Sequence, residues 1–141
     1  MLGVGHDVVD VAAFSEQLRE PGSRFRALFS TRELRQAAAR AKVKHDDEAA
    51  HLAVRWAGKE AVLKAWCEAL ADRPNPYTLD DFPWGQIEIL DDSRSRPRVV
   101  LADVCEARLR ESLGADFPAL RWHVSLTHDG PIASAVVLLV G

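Results

Sequence analysis

The stretch RWAGKEAVLKAW, residues 55–66, constrains this chain more than any other. It lies in a helix expected to start at a cap on Asp46 or Asp47 and to run to about Leu70. At 100° per residue, Leu52, Trp56, Leu63, Cys67 and Leu70 fall within a sector of about 60°, which defines the buried stripe of that helix. Lys59 lies in or beside the stripe, Glu60 at its edge, and Lys64 follows on the side of Glu60. Two readings are open for these charges. In the first, Glu60 and Lys64 form an i,i+4 pair while Lys59 snorkels its ammonium out of the core, but such a pair contributes only about 0.2–0.5 kcal/mol. In the second, a cation and an anion bind there, which explains the placement better, because burying an unpaired charge costs several kcal/mol.

The start of the chain alternates Leu2, Val4, His6 and Val8 with Gly3, Gly5, Asp7 and Val9. This is the period-two pattern of a short strand with one apolar face and one nearly bare face. Asp7 shares the bare face with two glycines, which leaves room for another backbone or a ligand to come close. An Asp before a helix often only caps it, but Asp10 is the better-placed cap here. Two carboxylates from separate elements, Asp7 and Glu60, would make with water and phosphate oxygens the sparse oxygen shell that magnesium prefers. Arg55, Lys59 and Lys64 would then surround an anion. Towards the other end, SLTH puts Ser125 and His128 at or near the end of a strand beside an Asp-Gly turn, where His128 can donate to a phosphate or move a proton. A hydrolase triad on Ser125 and His128 is discounted, since no G-x-S-x-G elbow accompanies a Ser that lies within a strand.

Around these motifs the chain reads as α+β. Asp10 opens a helix carrying Val11, Phe14 and Leu18 that Pro21-Gly22 ends, and Ser30-Thr31-Arg32-Glu33 is a capping box for a second helix through about Lys42. Residues 71–84, rich in Pro, Asp and Asn, form an exposed loop. GQIEIL and RPRVVL, joined around DDSRS, read as strands, and a helix from about Asp103 to Leu113 stops at Gly114. RWHVSLTH and ASAVVLLV form a last pair of strands about Asp129-Gly130-Pro131. Helices come early and strands late, with the first strand joining the sheet.

A chain of 141 residues suits one domain spanning 1–141. No apolar stretch is long enough for a membrane span, and MLGVGHDVVD lacks the basic start and apolar run of a signal peptide, so a cytoplasmic protein is expected. Cys67 and Cys105 lack CxxC spacing and read as reduced core thiols. The net charge of −3 argues against a general nucleic-acid binder. Residues 19–44, however, hold eight Arg and Lys against two Glu, a balance of +6 that leaves −9 for the remainder. That segment is either a docking face for an acidic partner or a solvated helix face.

In order along nearly the whole chain, GHDVVD, RWAGKEAVLKAW and HVSLTH resemble the motifs of the short holo-acyl-carrier-protein synthase type of phosphopantetheinyl transferase. HLAVRWAGKEAVLKAW is most similar to actinobacterial members, and the specific part is the KEA core with a Lys four residues after the Glu. The resemblance implies the 4'-phosphopantetheinyl transferase fold, helices packed on a small, mainly antiparallel sheet. It implies transfer of 4'-phosphopantetheine from coenzyme A to a serine of an apo acyl carrier protein, or of a carrier domain of a fatty acid synthase, leaving adenosine 3',5'-bisphosphate. By the same matching, magnesium would be held by Asp7 and Glu60, Glu60 and Lys64 would serve catalysis, and Arg55, Lys59 and Lys64 would face coenzyme A phosphates. Ser125 and His128 would lie along the nucleotide. A homotrimer with sites between protomers is also implied, with no nucleic acid and no membrane as partner. The chain departs from the pattern at His6, where an aliphatic residue is usual, at Thr127, where Ser is, and at Ser95-Arg96, where a Gly-basic pair is. The competing readings are a non-catalytic module that docks partners through residues 19–44, and a metal-dependent phosphohydrolase.

Overall fold

The computed structural model describes residues 1–114 and 119–141. In chain order the elements are β1 (Gly3–Asp10), α1 (Val11–Arg19), a 3-10 turn (Phe25–Leu28), α2 (Thr31–Lys44), α3 (Glu48–Leu70), a second 3-10 turn (Trp84–Gln86), β2 (Ile87–Asp91), β3 (Pro97–Leu101), α4 (Asp103–Ser112), β4 (Arg121–Asp129) and β5 (Ile132–Val140). Asp10 Oδ1 accepts the Ala13 N–H at 3.0 Å, and Asp47, not Asp46, caps α3 by accepting from Ala49 N at 3.0 Å. Ser30 and Glu33 form the reciprocal capping box expected of α2.

The strands make two antiparallel sheets rather than one: β1-β5-β4, and a separate β2-β3 hairpin. Helix α3 is packed on by β1 and β5 on one side and by α1, α2 and β2 elsewhere. It is therefore buried round most of its circumference, with Leu52, Ala53, Ala57, Ala61, Val62 and Ala65 all out of solvent. The expected narrow stripe does not describe it, and Cys67, assigned to that stripe as a core thiol, is exposed, while Cys105 is buried.

The bare face of β1 is the inward one. A Cβ on Gly3 or Gly5 would stand 2.1 Å from the Ala65 carbonyl oxygen or 1.8 Å from that of Ala61. Only glycine lets strand and helix backbones meet this closely. The room expected there is taken by α3, and Val4, His6 and Val8 point outward. On β5, Ala133, Ala135, Val137 and Leu139 face the core, while Ile132, Ser134 and Val136 continue the outward face.

Candidate active site

The close approach of β1 to α3 brings Asp7, which follows Gly3 and Gly5 on the inward face, to the Lys64 side of α3. Lys64 Nζ donates to Asp7 Oδ1 at 3.1 Å and to the His6 carbonyl at 3.0 Å. Asp7 is 8% exposed, and its Oδ2 is buried with no hydrogen-bond partner among the described residues. The Glu60 carboxyl is pushed up to about 7, first by burial and then by the neighbouring Asp7 carboxylate, with Lys64 opposing. Carboxylates this close share a proton or a cation. A buried carboxylate oxygen without a donor costs about 1–3 kcal/mol or more, and a hard cation satisfies it. Among the described residues no three His, Cys, Asp or Glu side chains converge. The protein thus offers two carboxylates to a metal, which fits an ion that keeps water and phosphate oxygens in its shell.

A second polar feature is a cavity of about 290 Å³, lined by Arg40 and Lys44 of α2, His51 and Arg55 of α3, Asp91 of β2 and His128 of β4 among others. Arg55 donates from Nη1 to the His51 carbonyl at 3.1 Å and from Nη2 to Asp91 Oδ2 at 3.2 Å, while its buried Nε has no partner among the described residues. Burial lowers the pKa of this guanidinium and Asp91 works against that. The cavity concentrates positive charge and suits an anion. His51 escaped the sequence reading, and Arg40 and Lys44 entered it only as part of the basic 19–44 segment, although Arg40 and Lys44, like His51 and Arg55, are spaced four apart as neighbours on one helix face.

Lys59 is not part of either feature. Its Nζ is wholly enclosed, donating to the Trp84 and Ile87 carbonyls at 2.6 Å each and pairing with Glu33 Oε1 at 2.7 Å. It neither snorkels to solvent nor faces a site, because all three donors are consumed inside the core. Ser125 and His128 are three apart on a strand, so they lie on opposite faces of β4. His128 lines the cavity, whereas Ser125 is exposed on the outward face opposite Val136. The acidic cluster and the cavity also diverge: Lys64 and Arg55, nine residues apart, project from opposite sides of α3 about 14 Å apart along its axis.

Known proteins resemble this chain over nearly its whole length. The family described as ACPS, 4'-phosphopantetheinyl transferase superfamily, matches residues 3–136. The holo-[acyl-carrier-protein] synthase of Bifidobacterium adolescentis is 57% identical over 99% of this chain and 99% of its own, and that of Corynebacterium efficiens 38% identical over 99% and 94%. A solved ACPS–CoA complex of Chronobacterium ammoniagenes superposes with a TM-score of 0.84 at 36% identity, covering 97% of this chain and 95% of that one. The acyl carrier protein synthase of Mycobacterium tuberculosis superposes at 0.68 with 37% identity, covering 99% and 96%. These likenesses set aside the non-catalytic module, and the chain belongs to the 4'-phosphopantetheinyl transferase superfamily and, within it, to the holo-[acyl-carrier-protein] synthase enzymes.

Proposed function

We propose that the chain transfers the 4'-phosphopantetheine group of coenzyme A to a serine of an apo acyl carrier protein or carrier domain, releasing adenosine 3',5'-bisphosphate, in a magnesium-dependent reaction that serves fatty acid synthesis in the cytoplasm. The observation that carries this is the meeting of Asp7, Glu60 and Lys64 with one buried carboxylate oxygen unsatisfied. Asp7 and Glu60 would hold the magnesium, which would offset charge on the diphosphate when bound. Lys64 lies against Asp7 and supplies a charge-assisted hydrogen bond to a phosphate oxygen. The serine oxygen attacks the phosphorus that bears pantetheine, the bond to the nucleotide phosphate breaks, and the serine proton leaves to a base. Either Glu60 or a water associated with the metal would take it. Positioning and charge neutralisation carry most of such a phosphoryl transfer.

The phosphate-bearing nucleotide end of coenzyme A is assigned to the cationic cavity, where Arg55 and His128 face an anion. Cavity and carboxylate cluster open on different sides of α3, and Ser125 lies on the outward sheet face. A site shared between copies of the chain accounts for this split, and Val4, Val8, Ile132 and Val136 on that exposed apolar face support their association as a homotrimer.

Incubation with coenzyme A, magnesium and an apo carrier protein, read by mass spectrometry, tests the proposal. Wild type is expected to convert the carrier, and Asp7→Ala and Glu60→Ala to lose most transfer with unchanged circular dichroism. Near-normal turnover of either variant at limiting magnesium would show that residue to be no ligand.

A further inference from the structure

The turn between α2 and α3 holds two aspartates with different fates. Asp47 caps α3, whereas Asp46 Oδ1 meets His51 Nε2 at 2.7 Å. The turn is fixed: His45 adopts φ 56 and Asp46 N donates to the Ala41 carbonyl at 3.1 Å. A carboxylate only accepts, so the His51 nitrogen facing it carries a proton, which sets the tautomer and rotamer of an imidazole only 3% exposed. That ring in turn lies 5.5 Å from the ring of His128, the two planes 78° apart. His128 itself is exposed at the end of β4, on the cavity wall.

We propose that Asp46 and His51 form a positioning relay that holds the His128 ring towards an anion in the cavity. The relay rests on the assignment of that cavity to the phosphate-bearing end of coenzyme A. Charge alone does not account for Asp46. Arg40 and Lys44 of α2 and Arg55 of α3 already attract an anion, Asp91 of β2 opposes it, and the Asp46 carboxylate, behind the lining on His51, opposes it too. Asp46 is held below the usual carboxylate range, first by its hydrogen bond from His51 and then by the charges of His51, His128 and Lys44, so it is ionised at neutral pH. A negative group beside a phosphate seat weakens phosphate binding unless it contributes orientation. The relay therefore has a signature opposite in sign to simple electrostatics: removing Asp46 weakens the binding of a phosphate ligand instead of strengthening it.

Titration calorimetry of the whole protein with adenosine 3',5'-bisphosphate at pH 7 reads this sign, per folded molecule through the stoichiometry. Asp46→Ala and His51→Gln are each expected to weaken binding about tenfold, the low end of what removal of an orienting partner costs at metal sites. Asp46→Asn, which keeps an acceptor oxygen and loses the charge, is expected to fall between Asp46→Ala and wild type. Should Asp46→Ala fail to fold, Asp46→Asn decides, because His51 itself lines the cavity. Unchanged or tighter binding in these variants, together with a loss in His128→Ala, overturns the relay alone. Wild-type affinity in His128→Ala overturns the assignment of the cavity, and the relay with it.

Discussion

Lys59 Nζ lies 2.7 Å from Glu33 Oε1, and neither side chain reaches solvent. Glu33 Oε1 also accepts the Ser30 N–H of the capping box at 3.0 Å, and its Oε2 accepts the Ile89 N–H at 2.9 Å. With the two carbonyl bonds of Lys59, one ion pair ties the start of α2, the middle of α3 and strand β2 together. The KEA motif thus combines two tasks in adjacent residues: Lys59 turns inward to hold the frame, and Glu60 turns to the site.

Lys59→Met is expected to cost about 3–5 kcal/mol, because it leaves the Glu33 carboxylate buried without its counter-charge. Glu33→Gln in the same background should recover part of the loss, since the orphaned charge is then gone. Urea unfolding measures both. A cost below about 1 kcal/mol for Lys59→Met would show that the pair does not hold these elements together.

Glu60 links stability to pH in a defined direction. Its folded pKa of about 7 lies above the ordinary 4.5, so folding favours the protonated carboxyl. The stability it contributes is complete below about pH 4.5 and is lost as pH rises through about 7. Glu60→Gln should therefore melt above wild type at pH 8 without metal and level with it at pH 4. The expected gain is about 3 °C, corresponding to roughly 1 kcal/mol or less once screening at a half-exposed group is allowed for. Added magnesium should raise the wild-type melting temperature at pH 8 and leave Glu60→Gln unmoved. Calorimetric melts check both, and equal melting temperatures at pH 8 without metal would refute the crowding of Asp7 and Glu60.

What the sequence made legible here was local. The caps at Asp10 and Ser30, the cap of α3 to within Asp46 or Asp47, and the strand pattern of residues 2–9 depend on neighbours within a few positions, and Asp7 and Glu60 stood out by breaking such patterns. The partner of Lys59 did not, since Glu33 lies in another helix and its role there was already explained by the capping box. The bare face of β1 was legible as room for another backbone or a ligand, but that the backbone of α3 takes it was not, since no strand pattern names the partner. The stripe on α3 was overdrawn for a related reason: a helix buried on most sides offers little periodic contrast. The separation of Ser125 from His128 was legible, by the period of two alone.

Assembly through the outward sheet face gives a further expectation. Val8 is 53% and Val136 41% exposed there, and the register sets His6 opposite Val136 and Val8 opposite Ser134. Val136→Glu places a carboxylate in the middle of that face, so it should drive the proposed trimer towards monomers of about 15.6 kDa by light scattering. Transfer activity should fall in step, since the proposed site is shared. A fully active monomer would refute sharing.

The basic segment is less free than its charge suggests. Arg19 pairs with Asp47 at 2.9 Å and Arg26 with Glu48 at 2.8 Å, and Arg32 is tied to Glu88. Arg24, Arg35 and Lys42 are exposed and make no ion pair among the described residues. Of these, Arg24 adjoins Phe25, whose ring packs 5.0 Å from that of Trp56, and Trp56 lies one helical turn before Glu60. A carrier protein with the acidic recognition helix that the family resemblance implies would meet Arg24 on its way to the site, while Arg35 and Lys42 lie further along α2. Exposed charges act through attraction screened over about 8 Å at physiological ionic strength. Arg24→Glu is thus expected to raise the Michaelis constant for the carrier several-fold and flatten its salt dependence, Arg35→Glu to do so less, and neither to alter coenzyme A binding. Steady-state kinetics at two salt concentrations distinguish the cases: equal effects of the two reversals would mean diffuse attraction without a docking point, and no effect of either would mean a basic face that is merely solvated.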